Sequence, residues 1–339
     1  MFGRDKIKLF TNPTPLQKLE NISEELGVEL YIKRDDMAFD IGMGGNKLRK
    51  LEYLLAEAEK QGATMLLTYG GAQTNHGRLT AAAAAKRGLR CAIVAVDEHP
   101  ENMNANLLLD RLMGCEVYIA KPDGSENQAK NLGAKIKAEW EAKGEKVYEI
   151  PVGGSNTVGI LGYIDCAYEL YEQMKMENIA DAKVFCGAGS LGTYLGLWLG
   201  MKLQNAPCEC VGVSISPVTE AKDKRVMEYF GEVKDEYNLE IEAERKDFHI
   251  ETGYVREGYN KPDENVRKAI YLMASKEAII LDPCYTGKVF AGIIDMINEG
   301  KIAKGEKIVL VHTGGSPAIY TPFHRAEMEK ELMEGYHLL

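Results

Sequence analysis

Lys47 lies in Gly44-Gly45-Asn46-Lys47-Leu48-Arg49-Lys50-Leu51-Glu52-Tyr53, where a glycine turn opens into an amphipathic helix. At such a junction an amine can be held in a cleft, where desolvation and nearby cations lower its pKa and make it a nucleophile toward an aldehyde. The plain alternative is a solvated lysine of a first helical turn. Far downstream, Phe185-Cys186-Gly187-Ala188-Gly189-Ser190-Leu191-Gly192-Thr193 follows an apolar, strand-like Val184-Phe185. Glycines there let successive backbone N–H groups converge on an anion at a helix N-terminus, and Ser190 and Thr193 can add hydroxyl donors. The segment lacks the lysine of a P-loop and the full dinucleotide pattern. Its glycines could equally serve only tight turns and close helix packing.

Three further loops carry polar groups at strand-to-helix junctions. In Tyr69-Gly70-Gly71-Ala72-Gln73-Thr74-Asn75-His76-Gly77-Arg78, the trio Thr74, Asn75 and His76 exposes short polar groups suited to a carboxylate or another anionic oxygen. An ordinary helix cap with a satisfied histidine is the bland reading of the same residues. Tyr285, in Asp282-Pro283-Cys284-Tyr285-Thr286-Gly287-Lys288, is expected just beyond a strand at 278–281, facing a ligand cleft or packing as an interface aromatic. Thr313, in His312-Thr313-Gly314-Gly315, offers a neutral hydroxyl to a ring nitrogen where a carboxylate would enforce protonation.

The elements that must position these groups alternate along the chain. Short apolar runs at 29–34, 65–69, 91–96, 116–119 and 147–150 are separated by helical periodicities from Leu48 to Ala58, over 79–87, over 102–113 and over 135–143. A second series has an apolar helix at 158–174, strands at 183–185, 209–214, 278–281 and 307–311, and helices at 191–203, 263–275 and 287–298, with a charged region at 219–247. Such alternation implies parallel strands covered by helices, an α/β protein. The expected division is a small Rossmann-like domain over 52–155 and a discontinuous large domain made of 1–51 and 156–339.

With 339 residues, 45% hydrophobic and 27% charged, the chain has the makeup of an enzyme-sized globular protein rather than a disordered or membrane one. A formal charge of −10 argues against a broad nucleic-acid surface while permitting a local basic pocket. No apolar stretch has the length of a spanning helix, so no membrane partner is expected and the cytoplasm is the expected compartment. Seven cysteines without a CxxC pair or neighbouring histidines speak against structural zinc and a disulfide framework, and no metal is expected.

Taken together, the Gly-Gly-Asn46-Lys47-x-Arg-Lys-Leu-Glu motif, Gln73-Thr74-Asn75-His76, the glycine cup, Tyr285-Thr-Gly-Lys and His312-Thr313-Gly-Gly resemble the pyridoxal-phosphate family of D-cysteine desulfhydrase and 1-aminocyclopropane-1-carboxylate deaminase. The resemblance covers nearly the whole chain and implies the two-lobed tryptophan-synthase-β-like fold, fold type II. It implies pyridoxal 5'-phosphate as cofactor, Lys47 as its Schiff-base lysine with Asn46 adjoining, and Asn75 near the ring oxygen. By the same resemblance Gly187, Ala188, Gly189, Ser190, Leu191, Gly192 and Thr193 would surround the phosphate. Thr74 and His76 would lie near a small amino-acid substrate, Tyr285 beside the ring, and Thr313 at the ring nitrogen. Thr74 departs from the serine frequent in the family. Thr313 departs from the glutamate of the cyclopropane deaminases, which favours β-elimination of D-cysteine to sulfide, pyruvate and ammonia. Sulfite release from a cysteate, cyclopropane ring opening and a noncatalytic amino-acid-binding role are the alternatives. A homodimer is implied by the family alone.

Overall fold

The computed structural model describes residues 1–125 and 127–337. In chain order the elements are β1 (Leu16–Lys18), α1 (Glu20–Leu26), β2 (Glu29–Arg34), α2 (Lys47–Lys60), β3 (Met65–Gly70), α3 (Asn75–Arg87), β4 (Arg90–Val96), α4 (Ala105–Leu112), β5 (Glu116–Ala120), α5 (Gln128–Glu141) and β6 (Val147–Ile150). There follow α6 (Leu161–Met176), β7 (Lys183–Ala188), α7 (Gly192–Leu203), β8 (Cys210–Ser214), α8 (Glu220–Tyr237), β9 (His249–Glu251), α9 (Glu264–Glu277), α10 (Thr286–Asn298), β10 (Lys307–His312) and α11 (Pro322–Leu332). They form an α/β protein with two sheets.

One sheet has the order β5-β4-β3-β6 and is wholly parallel. The other has the order β1-β2-β10-β7-β8-β9, parallel except for the antiparallel edge strand β1. β2, near the N-terminus, pairs with β10, near the C-terminus, from Glu29 opposite Lys307 to Arg34 opposite His312. The strands interior to both sheets are apolar on both faces, as parallel strands covered by helices must be. Leu48, Leu51, Leu54 and Leu55 turn one face of α2 into the core, and α2 packs on α6 and α3. The helix runs without a break through the boundary expected at residue 51.

Four local expectations fail for identifiable reasons. The segment 278–281 is not a strand: Ala278 caps α9 in a left-handed conformation, and the ladder edges of β10 are already taken by β2 and β7. Its alternating burial, with Ile279 and Leu281 inside and Ile280 exposed, imitates a strand without a partner. β9 and β1 are three-residue edge strands too short to show a period. α5 begins at Gln128, seven residues before the expected 135, because its first turns carry little apolar patterning. α1, α8 and α11 were not separated from the irregular opening, the charged region and the C-terminal segment that contain them.

One buried polar cluster joins the N-terminal segment to α2 and α6. Arg49 on α2 grips Asp35 with two bonds of 2.8 Å and reaches both carboxylate oxygens of Glu169 on α6, at 2.8 and 3.1 Å. Thr14 and Tyr163 hydroxyls donate to the remaining Asp35 lone pairs at 2.8 and 2.7 Å, and Lys33 binds Glu169, the Thr14 carbonyl and Gln173. Burial alone would raise the Asp35 pKa, but the Arg49 guanidinium outweighs it and brings the group from an ordinary 3.8 down to about 2. With the folded pKa depressed, this contribution to stability is complete above about pH 4 and fades as pH falls toward 2. Arg49→Met strands a buried carboxylate and is expected to cost about 3–5 kcal/mol in chemical denaturation. Asp35→Asn is expected to remove the acid-limb dependence, and an unchanged unfolding midpoint for either variant would refute this role.

Candidate active site

The carboxyl ends of the two sheets meet at one cavity of about 570 Å³. The ends of six strands and the loops after them reach it: Thr74, Asn75 and His76 after β3, Asp97 after β4, Val152 and Gly153 after β6, Gly187 at the end of β7 with Gly189, Ser190, Leu191 and Thr193 after it, Ile215 after β8, and Thr313 after β10. Ligands of parallel sheets bind at this end because side chains and helix N-termini converge there. Asn46 and Lys47 enter from the start of α2, and Tyr285 from the loop before α10.

Lys47 is delivered by a turn that only glycine can make. Gly44 and Gly45 have φ of 64° and 129°, and a Cβ on Gly44 would lie 2.7 Å from the carbonyl oxygens of Asp36 and Ala38. The Asn46 amide N–H donates to the Thr313 carbonyl at 3.1 Å, and its side chain donates to Thr193 Oγ1 at 3.1 Å. The first bond ties the lysine turn to the loop after β10, and the second ties it to the glycine cup, 147 residues away in sequence. Lys47 opens onto the cavity and is otherwise enclosed, and no carboxylate pairs with it among the described residues. Burial lowers its pKa from 10.5 to about 8.

Lys50, one helical turn on, was missed by the sequence reading. Fully buried, it donates to the Gly153 carbonyl at 3.1 Å and to Ser155 Oγ at 3.0 Å; Ser155 in turn meets Ser190 Oγ at 2.8 Å. Burial first, and the Lys47 charge second, hold its pKa well below the usual range. A Cβ on Gly192 would come within 2.7 Å of the Lys50 amine and 2.6 Å of Ser155 Oγ, so the cup closes on these two groups. Leu191, at φ 66°, turns the chain into α7. Gly187, Gly189, Ser190, Leu191 and Thr193 line the cavity; Ala188 and Gly192 lie behind the wall.

Thr74 caps α3 by accepting the Gly77 amide at 3.1 Å, so its hydroxyl hydrogen remains for the cavity. His76 is buried and neutral: burial first, then Lys47 and Lys50, hold its pKa well down. The Thr68 hydroxyl donates to the Ile150 carbonyl at 2.9 Å and so accepts from His76 Nε2 at 2.9 Å, leaving Nδ1 without a partner. Asp282 anchors the Tyr285 loop by accepting the amides of Cys284, Tyr285 and Thr286 at 2.9, 2.8 and 2.7 Å. Burial pushes the Tyr285 phenol well above its usual pKa, and its oxygen meets that of Tyr259 at 2.8 Å. Tyr259 also lines the cavity and was likewise missed, because its loop shows no periodicity.

The residues fit pyridoxal phosphate on grounds internal to the fold. An enclosed lysine without a counter-ion supplies the amine for the aldehyde, a glycine cup with two cationic or hydroxyl neighbours supplies the anion site, and the neutral Thr313 faces the same cavity. These features define a two-lobed pyridoxal-phosphate enzyme of fold type II. The model of the family described as pyridoxal-phosphate dependent enzyme matches residues 7–314. The chain is 40% identical over 322 residues to D-cysteine desulfhydrase of Yersinia enterocolitica, covering 93% of this chain and 95% of that one. It is 38% identical over 328 residues to a protein of Pyrococcus abyssi provisionally named 1-aminocyclopropane-1-carboxylate deaminase, covering 97% and 96%. A crystal structure of an ACC deaminase homologue superposes with a TM-score of 0.87 at 33% identity, covering 97% of each chain. The chain belongs to the pyridoxal-phosphate-dependent enzyme family.

An amine reacts with an aldehyde in its unprotonated form, so the association rate of pyridoxal phosphate with the apoprotein is expected to rise with pH through about 8, where Lys47 gives up its proton. Stopped-flow absorbance across pH 6 to 10 measures this. A rise centred near the 10.5 of an ordinary lysine, or an unaltered visible band in Lys47→Ala, would remove Lys47 from the role.

Proposed function

We propose that the enzyme catalyses β-elimination of D-cysteine: D-cysteine and water give hydrogen sulfide, pyruvate and ammonia. The reading is carried by an amine that yields its proton near pH 8 and a phenol that keeps its own, both opening onto one cavity. Pyridoxal phosphate, when bound, supplies the electron sink for the pair left at Cα after proton loss. In this reading Lys47 takes the Cα proton, because its amine gives up its own proton near pH 8 rather than 10.5. Tyr285, supported by Tyr259, gives a proton to the departing sulfur. Gly187 to Thr193, with Lys50 and Ser155 behind them, hold the phosphate. Asn75 faces the ring oxygen, Thr313 the ring nitrogen and the Thr74 hydroxyl the substrate carboxylate, while His76, whose free Nδ1 is an acceptor, lies beside the substrate where it can take an N–H.

Two features favour a thiol among the competing leaving groups. Asp97 presents a carboxylate to the cavity, held by the Ala72 and Glu98 amides at 2.8 and 2.9 Å, and no cation pairs with it among the described residues. A carboxylate there opposes the second negative charge of a sulfonate. Thr313, unlike a glutamate, leaves the ring nitrogen free of enforced protonation, which sets the site apart from a cyclopropane deaminase. The similarity to the Yersinia desulfhydrase supports the same choice.

We also propose that the expected division into domains 52–155 and 1–51 with 156–339 describes two lobes about this cavity, and that two copies associate. Leu108 and Leu112 of α4 and Tyr320 are exposed, and α4 packs against 316–320. They form an apolar face suited to a second copy.

Supplying D- and L-cysteine, D- and L-cysteate and 1-aminocyclopropane-1-carboxylate, with sulfide, sulfite and keto acids quantified, is expected to give sulfide and pyruvate from D-cysteine. Sulfite from a cysteate, or 2-oxobutyrate from the cyclopropane, would move the enzyme to that reaction. Tyr285→Phe is expected to retain the cofactor band while slowing sulfide release roughly a hundred- to ten-thousandfold. Leu112→Asp is expected to shift the dimer toward monomer in light scattering; a monomeric wild type would refute the association.

A further inference from the structure

Asn106, the second residue of α4, is fully buried and lies outside the cavity. Its backbone N–H donates to Gln73 Oε1 at 3.0 Å, and Gln73 Nε2 donates to Asn104 Oδ1 at 3.0 Å. Its side-chain nitrogen donates at 2.8 Å to the Gln73 carbonyl and at 2.8 Å to Asn75 Oδ1. The order of these bonds fixes every amide in the chain. A backbone carbonyl only accepts, so the Asn106 atom facing Gln73 is nitrogen. That nitrogen has a second hydrogen, which requires an oxygen opposite it, so the Asn75 atom facing Asn106 is Oδ1. Asn75 Nδ2 therefore points away from α4, and no acceptor takes it among the described residues, although Asn75 lines the cavity. A Cβ on Gly315 would lie 2.8 Å from this Nδ2, so no side chain fits behind it.

We propose that Asn106 is a positioning residue that sets the polarity of the active site: it holds the Asn75 amide with its donor end toward the cofactor's anionic ring oxygen. The inference rests on the role proposed above for Asn75. With Asn106 in place, a ligand offering an anionic oxygen meets N–H. Were the amide turned over, the same ligand would meet a carbonyl oxygen, and binding would change from attraction to repulsion with no change in the shape of the site. Sequence distance hides the link, since Asn106 lies 31 residues from Asn75 in a segment without a motif.

Asn106→Asp replaces the donor by an acceptor and draws Asn75 Nδ2 toward α4, presenting Oδ1 to the cofactor. In the full-length holoenzyme it is expected to weaken pyridoxal phosphate roughly ten- to hundredfold, the loss of one bond to a charged oxygen and exposure of that oxygen to an acceptor. It is also expected to raise the pH midpoint of the cofactor's visible band, because the ionised ring oxygen loses its donor. Asn106→Ala leaves the amide free to turn and is expected to lose less than Asn106→Asp in both readouts. If Asn106 acts only through Asn75, the double variant Asn75→Ala/Asn106→Asp binds the cofactor no more weakly than Asn75→Ala alone, within about twofold. An Asn106→Asp protein with wild-type affinity and midpoint, or losses that multiply in the double variant, would overturn the proposal. A wild-type protein that forms no visible band with pyridoxal phosphate would overturn the cofactor-site reading along with it, an outcome distinct from a band insensitive to residue 106.

Discussion

An amine gives up its proton near pH 8, well below its ordinary 10.5, only where water is kept out and no carboxylate is paired with it, and the arrangement around Lys47 meets both conditions. Three cationic side chains, Lys47, Arg49 and Lys50, occur within four positions of α2. Helical geometry sends them in different directions. Arg49 takes Asp35 and Glu169, the acidic groups buried on that side, and with Lys33 on Glu169 and the Thr14 and Tyr163 hydroxyls on Asp35 it leaves neither carboxylate for Lys47 or Lys50. Lys47 opens onto the cavity instead, with Lys50 buried behind the cup; neither has a carboxylate partner among the described residues, and the Lys47 charge adds to burial in lowering the Lys50 pKa. The ion cluster therefore does more than join α2 to α6, because it keeps negative charge away from an amine that must lose its proton.

The same lack of a carboxylate paired with Lys47 or Lys50 prepares the cup for an anion from outside. Although the protein carries a net charge of −10, the cup between β7 and α7 adjoins two lysine amines and three hydroxyls, those of Ser155, Ser190 and Thr193. Burying Lys50 without an acidic partner costs stability in the empty protein, and a bound phosphate would supply the missing charge. Cofactor affinity and apoprotein stability are linked in this way through a single residue. Asn75 extends the principle from charge to polarity: a neighbour outside the cavity, Asn106, donates to its Oδ1 and leaves its Nδ2 without an acceptor among the described residues.

How much of this can be read in the sequence depends on whether the signal is local. The β/α alternation was legible because interior parallel strands are continuous apolar runs, and eight of the ten strands lie where those runs are. The cup and the lysine turn were legible because glycine marks backbone that other residues cannot adopt, as at Gly44. Strand-like alternation at 278–281 misled because sequence shows burial but not whether a ladder edge is free. Lys50, Tyr259 and Asn106 were not legible as site residues. Each acts through a partner between 26 and 105 residues away, and nothing in its own neighbourhood distinguishes it from a solvated lysine, a loop tyrosine or a helix-start asparagine.

Long-range placement also explains why a chain of this type joins its N-terminal strand to its C-terminal sheet. β2 pairs with β10, so the loops that follow the two strands emerge side by side. One leads to the glycine turn and Lys47, the other carries Thr313, and the Asn46 amide donates to the Thr313 carbonyl where they meet. Were β2 paired anywhere but beside β10, intervening strands, about 4.8 Å wide each, would separate the lysine turn from Thr313. Pairing β2 with β10 brings Lys47, the β7 cup and Thr313 onto one cavity. The site thus constrains the topology: the strand preceding the lysine turn has to pair beside β10, the strand that leads into Thr313.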